Sequence, residues 1–238
     1  MKPTISMLLL AVLLNSCASI PNLQKVEAKI PCLGAIGKDK TSVFKKEFQK
    51  IGEPTLKNPI SVTVNAIPFT KNSYSLYKDY REHIGKETTV SYDDSNRIQP
   101  RYYAFKITDF VNLKSQLNKA ENSELLEYLT NDKNLKVLTQ ISFVANIQEA
   151  IQIDEAEHLF VVEQDGMLAL KTYNGNRNAT ISMSELQLFD FETAGFCWKN
   201  STYGKPEIAL IALDGKSCPK STENNPEKLN DTKAYLKF

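Results

Sequence analysis

Three dipeptides, Asp165-Gly166, Asn174-Gly175 and Asp214-Gly215, punctuate β-rich runs in the second half of the chain and constrain its fold more than anything else in it. Such pairs accept the positive φ of tight hairpin turns, so strands on either side of them pair antiparallel. The strands expected from this punctuation are 159–164, 167–173, 179–183, 186–191, 195–199 and 207–213. The first half reads differently. Ile60, Val62, Val64 and Ala66 alternate with polar residues, the period of a half-buried strand. Tyr74, Tyr77, Tyr80 and Ile84 recur at helical spacing, with Gly85 as a stop. Strand-like stretches follow at Thr88 to Tyr92 and Arg101 to Thr108, with the turn Asp93-Asp94-Ser95-Asn96 between them. Two apolar stripes, Phe110/Leu113/Leu117 and Leu125/Leu126/Leu129, predict a helical pair crossing one face of the sheet. Leu135 to Ala145 returns to alternation. The expected class is α+β, with an antiparallel, β-rich C-terminal half and helices packed on one face, in one domain.

Within 25–52, Phe44 and Phe48 fall on one face if the segment is helical, among Lys45, Lys46 and Lys50. An amphipathic helix with both rings on the core is the preferred reading, ahead of a helix lying on a membrane surface. Gly34-Ala35-Ile36-Gly37-Lys38 lacks the spacing of a phosphate-binding loop, and Asp39 stands where a hydroxyl is required.

The N-terminus carries a different kind of signal. Lys2 precedes an apolar run from Met7 to Leu14, followed by Asn15, Ser16 and Cys17. The run is far short of the roughly 20 residues that span a bilayer, so it reads as an export signal. Leu14-Asn15-Ser16-Cys17 resembles the lipobox of bacterial lipoproteins, with Asn15 larger and more polar than the usual occupant of its position. The resemblance implies cleavage before Cys17 and a diacylglyceryl thioether on its sulfur, a two-chain membrane anchor. Residues 1–16 are then signal peptide, 17–24 a lipidated tether, 25–218 the domain, and 219–238 a polar tail expected to be mobile, whose last residues, Tyr235 to Phe238, offer a docking strand. By analogy with proteobacterial sorting, Ala18 lacks the Asp that retains lipoproteins at the inner membrane. No early acidic cluster follows before Lys29, so the expected place is the periplasmic face of the outer membrane.

An oxidising compartment fixes the expectation for the remaining cysteines, Cys32, Cys197 and Cys218. Cys197 and Cys218 flank a compact strand-turn-strand segment and are the preferred pair, with Cys32 to either of them as the alternatives. Closing that loop contributes roughly 3 kcal/mol in the chain-entropy model. Trp198 is expected to pack over the bridge.

Little in the chain announces catalysis. Two histidines, His83 and His158, limit triad and metal chemistry. Asp154 and His158 are the weak metal candidates, within Asp154-Glu155-Ala156-Glu157-His158, and no cofactor is implied. Asp93 and Asp94 read as a turn and not as paired catalytic acids. Tyr74, Tyr77, Tyr80, Tyr102 and Tyr103 form a candidate ligand surface for glycans or small molecules, although core packing is the commoner use of such rings. With 29 basic and 28 acidic residues, no electrostatic bias toward nucleic acid exists. The expected partners are the membrane, through lipid on Cys17, and an envelope protein.

The series Tyr103 to Asp109, the stripe through Leu117, Val137 to Val144, and Phe196-Cys197-Trp198 with Cys218-Pro219 is similar to uncharacterised lipoproteins of flavobacteria. That similarity implies no activity. The resulting expectation is a binding or assembly module, with an envelope enzyme built from dispersed residues, or a tyrosine-based ligand binder, as the rivals.

Overall fold

The computed structural model describes residues 31–42 and 45–231. The signal segment, Cys17, Phe44 and Tyr235 to Phe238 lie outside the described residues. The described chain forms a mostly antiparallel sheet with helices against it, an α+β domain as expected.

The strands are β1 (Ile36–Ser42), β2 (Lys45–Gly52), β3 (Ile60–Pro68), β4 (Arg101–Ile107), β5 (Lys136–Val144), β6 (His158–Gln164), β7 (Met167–Asn174), β8 (Arg177–Ile181), β9 (Gln187–Asn200) and β10 (Pro206–Ala212). Their spatial order is β10-β9-β5-β4-β3-β6-β7-β8, and the β1–β2 hairpin joins through β1 to β5. The helices are α1 (Lys71–His83), α2 (Phe110–Leu117), α3 (Ser123–Asn131), α4 (Ile147–Asp154) and a short α5 (Lys228–Asp231).

Successive side chains of a strand point to opposite faces. Tyr103, Phe105 and Ile107 of β4 therefore enter the main core with Leu113 and Leu117 of α2, Leu129 of α3 and Ile153 of α4. Tyr102 points the other way, into a second cluster with Phe69, Val144, Phe189 and Tyr77 of α1. The helical pair α2 and α3 lies against the large core as expected, and α1 additionally covers part of the opposite face. Each fully buried Leu, Ile or Phe contributes about 1.5–3 kcal/mol through removal from water.

Four expectations are corrected. The basic segment around Phe48 is a strand in a hairpin and not a helix. Phe48 meets Phe191 with ring centroids 5.9 Å apart, and β1 is held by pairing Ile36 with Val137 and Gly37 with Lys136. Alternation and helical spacing both fit Lys45 to Lys50, and this tertiary pairing decides between them. Thr88 to Tyr92 is irregular, because its polar groups are engaged by α1. Segments 186–191 and 195–199 merge into the fourteen-residue β9, whose register against β5 shifts between Leu138 and Gln140 and again between Ser142 and Phe143. The tail after Cys218 is tied down as far as it is described. Glu223 forms a bridge with Trp198, Asn200 donates to the Leu229 carbonyl, and Leu229 is buried.

Candidate functional site

Between α1 and β4, residues 84–100 cross the small-cluster side of the sheet without regular structure. This strap is fastened along its length. Arg81 donates from Nε and Nη2 to the Glu87 carbonyl at 2.8 and 2.6 Å. Thr89 N–H donates to the Tyr77 hydroxyl at 3.0 Å, and that hydroxyl donates to Gln187 Oε1 at 2.7 Å. Tyr74 donates to the Val90 carbonyl at 3.0 Å and stacks on Tyr92. Gln99 donates to the carbonyls of Asp93 and Asn96.

The opposite wall is the start of α4. Asn146 caps the helix, accepting from Glu149 N–H at 3.0 Å, and Glu149 reaches back to Asn146 N–H at 3.3 Å, the reciprocal capping box. Between strap and helix lies a groove of about 510 Å³ lined by Thr89, Val90, Val144, Ala145, Asn146, Ile147, Gln148 and Gln187. That volume falls in the range of small-ligand or side-chain pockets. None of its eight lining residues is ionisable, and four of them are apolar. Ile147 at its rim is 79% exposed, and Ile151 one turn on is exposed as well.

The residues singled out in the sequence are distributed elsewhere. Tyr77 and Tyr103 are buried, on opposite faces of the sheet, and Tyr74, Tyr80 and Tyr102 are half-buried against the small cluster. Tyr74 and Tyr77 fasten the strap, and the five rings expected as a ligand surface do not share one face of the sheet, because Tyr103 lies in the main core. Phe69 gathers three of the others, with its ring 5.0 Å from Tyr102 and 5.7 Å from both Tyr74 and Tyr77. Burial, and then a hydrogen bond to Asp154 at 3.0 Å, push the Tyr103 hydroxyl up to about 12. Burial likewise raises Tyr102.

Asp154 ends α4 with Tyr103 as its hydrogen-bond donor and Arg101 at 3.8 Å, whereas the His158 ring sits 6.1 Å from that of Phe160. Among the described residues no three His, Cys, Asp or Glu side chains converge as a metal site. Asp93 accepts from the backbone and side chain of Ser95, contacts that hold its carboxyl below the ordinary range and make it a turn residue. Cys197 and Cys218 form the expected disulfide, with Trp198 buried beside it in the main core. Cys32 is a free thiol, pushed far up by burial and not poised for nucleophilic chemistry.

Sequence reasoning missed the groove because it missed α4. The signal was present: Asn146-Ile147-Gln148-Glu149 is a capping-box pattern ahead of Ala150 and Ile153. No family model matches the chain, and no curated protein matches it.

Proposed function

We propose that the chain is a lipid-anchored, periplasm-facing envelope lipoprotein whose domain acts as a binding or assembly module, taking an uncharged apolar segment of an envelope protein in the groove between the strap and α4. The observation that carries the binding half is the groove wall itself. Val90, Ala145 and the exposed Ile147, with Val144 beneath them, supply apolar lining beside the uncharged polar Thr89, Asn146, Gln148 and Gln187, which suits recognition. The anchoring half is supported by the sequence from Lys2 to Cys17. Cys32 already lies in the main core, so a lipid on Cys17 keeps the domain within at most about 50 Å of the bilayer, the reach of the intervening chain when extended.

A cleft gathering His158, Asp154 and polar side chains would favour the rival envelope enzyme with a dispersed site, and neither of these two residues lines the groove. The test is affinity isolation from gently solubilised envelopes, comparing the native chain with Ile147→Glu and with Cys17→Ser. A partner that co-purifies with the native chain and is lost with Ile147→Glu is the expected result. Recovery of the native protein only as a solitary monomer overturns the proposal. Incorporation of labelled palmitate, abolished by Cys17→Ser, checks the anchor separately.

A further inference from the structure

The capping box of α4 has an unusual neighbour. Glu149 is only 6% exposed, and one of its carboxyl oxygens, Oε1, is buried without a hydrogen-bond partner. Its other oxygen accepts from Asn146 N–H. The Asn146 side-chain amide donates in turn to Glu185 Oε2 at 3.4 Å, from the loop between β8 and β9. Two carboxyl groups thus converge on one asparagine. No salt bridge neutralises either of them among the described residues. The groove side adds no titratable group: the strap presents Thr89 and Val90, β5 presents Val144, and β9 presents Gln187.

Two carboxylates this close repel, and burying an unpaired charge is costly. A single proton shared by the pair removes both penalties. We propose that Glu149 and Glu185 share one proton, and that this proton holds the Asn146 cap, and with it the rim of the groove, in place. The direction of the Glu149 equilibrium agrees with the geometry. Burial comes first among its causes and the Glu185 carboxylate adds to it, both raising Glu149 above the ordinary carboxyl range. The folded state then holds the proton more tightly than the unfolded chain does. The stabilisation is complete at acidic pH and declines as pH rises from the ordinary glutamate value through the raised one. An envelope protein exposed to external pH would carry, at the edge of its groove, a catch that loosens on alkalinisation.

The test is amide hydrogen exchange of residues 145–150 between pH 4 and 8, after correction for intrinsic exchange. The native chain, Glu149→Gln and Glu185→Gln are compared. Glutamine at 149 keeps an acceptor for Asn146 N–H and supplies a permanent donor toward Glu185. Glutamine at 185 removes the repulsion from an exposed position that tolerates change. In the native chain, opening of this segment rises by up to about tenfold per pH unit once the shared proton leaves; that rise is lost in Glu149→Gln and reduced in Glu185→Gln, where only the burial of Glu149 remains to drive it. Equal pH dependence in all three proteins overturns the proposal. So does protection of the native segment by Ca²⁺ at pH 8 that both variants abolish, because the pair would then be a cation site.

Discussion

The side chain of Asn118 pairs with the backbone of Ile208 through both of its amide atoms. Oδ1 accepts Ile208 N–H at 2.9 Å and Nδ2 donates to the Ile208 carbonyl at 2.8 Å. A primary amide has the donor and acceptor of a peptide group, so the residue after α2 acts as one rung of an extra strand on the outer edge of β10. Edge strands are open templates for unwanted pairing, and this rung occupies the middle of one. The motif recurs nearby. Gln116 exchanges two hydrogen bonds with the backbone of Asn58, and Asn122 does so with Thr55.

Replacing Asn118 with Leu keeps the branched shape of the side chain and removes both bonds. The Ile208 groups are left to find water at a packed edge, a loss of about 1–3 kcal/mol. Urea denaturation followed by circular dichroism measures it, and an unchanged midpoint rejects this role for Asn118. Concentration-dependent association of the variant is the expected second consequence.

Gly37 sits where β1 turns alongside β2. A Cβ at this position would lie 2.3 Å from the Gln49 carbonyl oxygen and 2.7 Å from Phe48 Cζ. Backbone cannot retreat as a flexible side chain can, so Gly37→Ala forces the hairpin apart and costs on the order of 1–3 kcal/mol. The effect is read as a fall in thermal midpoint of several degrees. Gly85, with open space around its Cβ direction but φ +68°, is the useful contrast: there the penalty is one of backbone strain alone.

These two glycines show what the sequence could and could not reveal. Turns whose chemistry is local were legible. Asp165 and Gly166 both have positive φ, as a two-residue hairpin turn demands. At the next hairpin Asn174 pairs with Arg177, so the central residues are Gly175 and Asn176, one place later than the dipeptide suggested. The β1–β2 hairpin was not legible, because what distinguishes it from a helix is contact with Val137 and Phe191, about a hundred residues away or more. The same holds for the tyrosines. Their spacing located α1 correctly, but whether the rings face solvent or Phe69 depends on which side of the sheet the helix covers. The groove was hidden for a simpler reason: α4 has eight residues, too few for periodicity to declare itself without its caps.

Tyr77 is the residue through which this hidden geometry is best probed. Its ring is in the small cluster, and its hydroxyl joins Thr89 of the strap to Gln187 of β9. Tyr77→Phe keeps the packing and strands the Thr89 N–H, leaving Gln187 Oε1 with the Thr89 hydroxyl alone at 3.0 Å, and costs about 1–3 kcal/mol. Exchange at residues 87–92 should accelerate more than exchange in β5. Tyr77→Ala removes the ring as well and costs about 3–5 kcal/mol by comparison with other large-to-small changes. Equal stabilities for the two variants would mean that the hydroxyl alone holds the strap.

The disulfide makes a prediction of a different kind, because it acts on a segment outside the loop it closes. Cys218 begins the stretch that returns to Trp198 through Glu223, where each residue donates a backbone N–H to the other's carbonyl at 2.7 and 2.9 Å. Farther on, Leu229 enters the main core. Cutting the bridge with Cys197→Ala and Cys218→Ala frees the unfolded chain, at a cost of roughly 3 kcal/mol in the loop-entropy model. It also releases the near end of the docked tail. The paired variant should therefore lose exchange protection at 222–229 while β5 remains protected under native conditions. A uniform loss across the domain would show that the bridge acts only through the unfolded state. Reduction of the native protein with dithiothreitol should reproduce the local pattern without any substitution, since Cys32 is buried and holds no bridge. Trypsin supplies an independent readout: cleavage after Lys220 and Lys228 should quicken on reduction, and resistance there would mean that Glu223 and Leu229 hold the tail unaided.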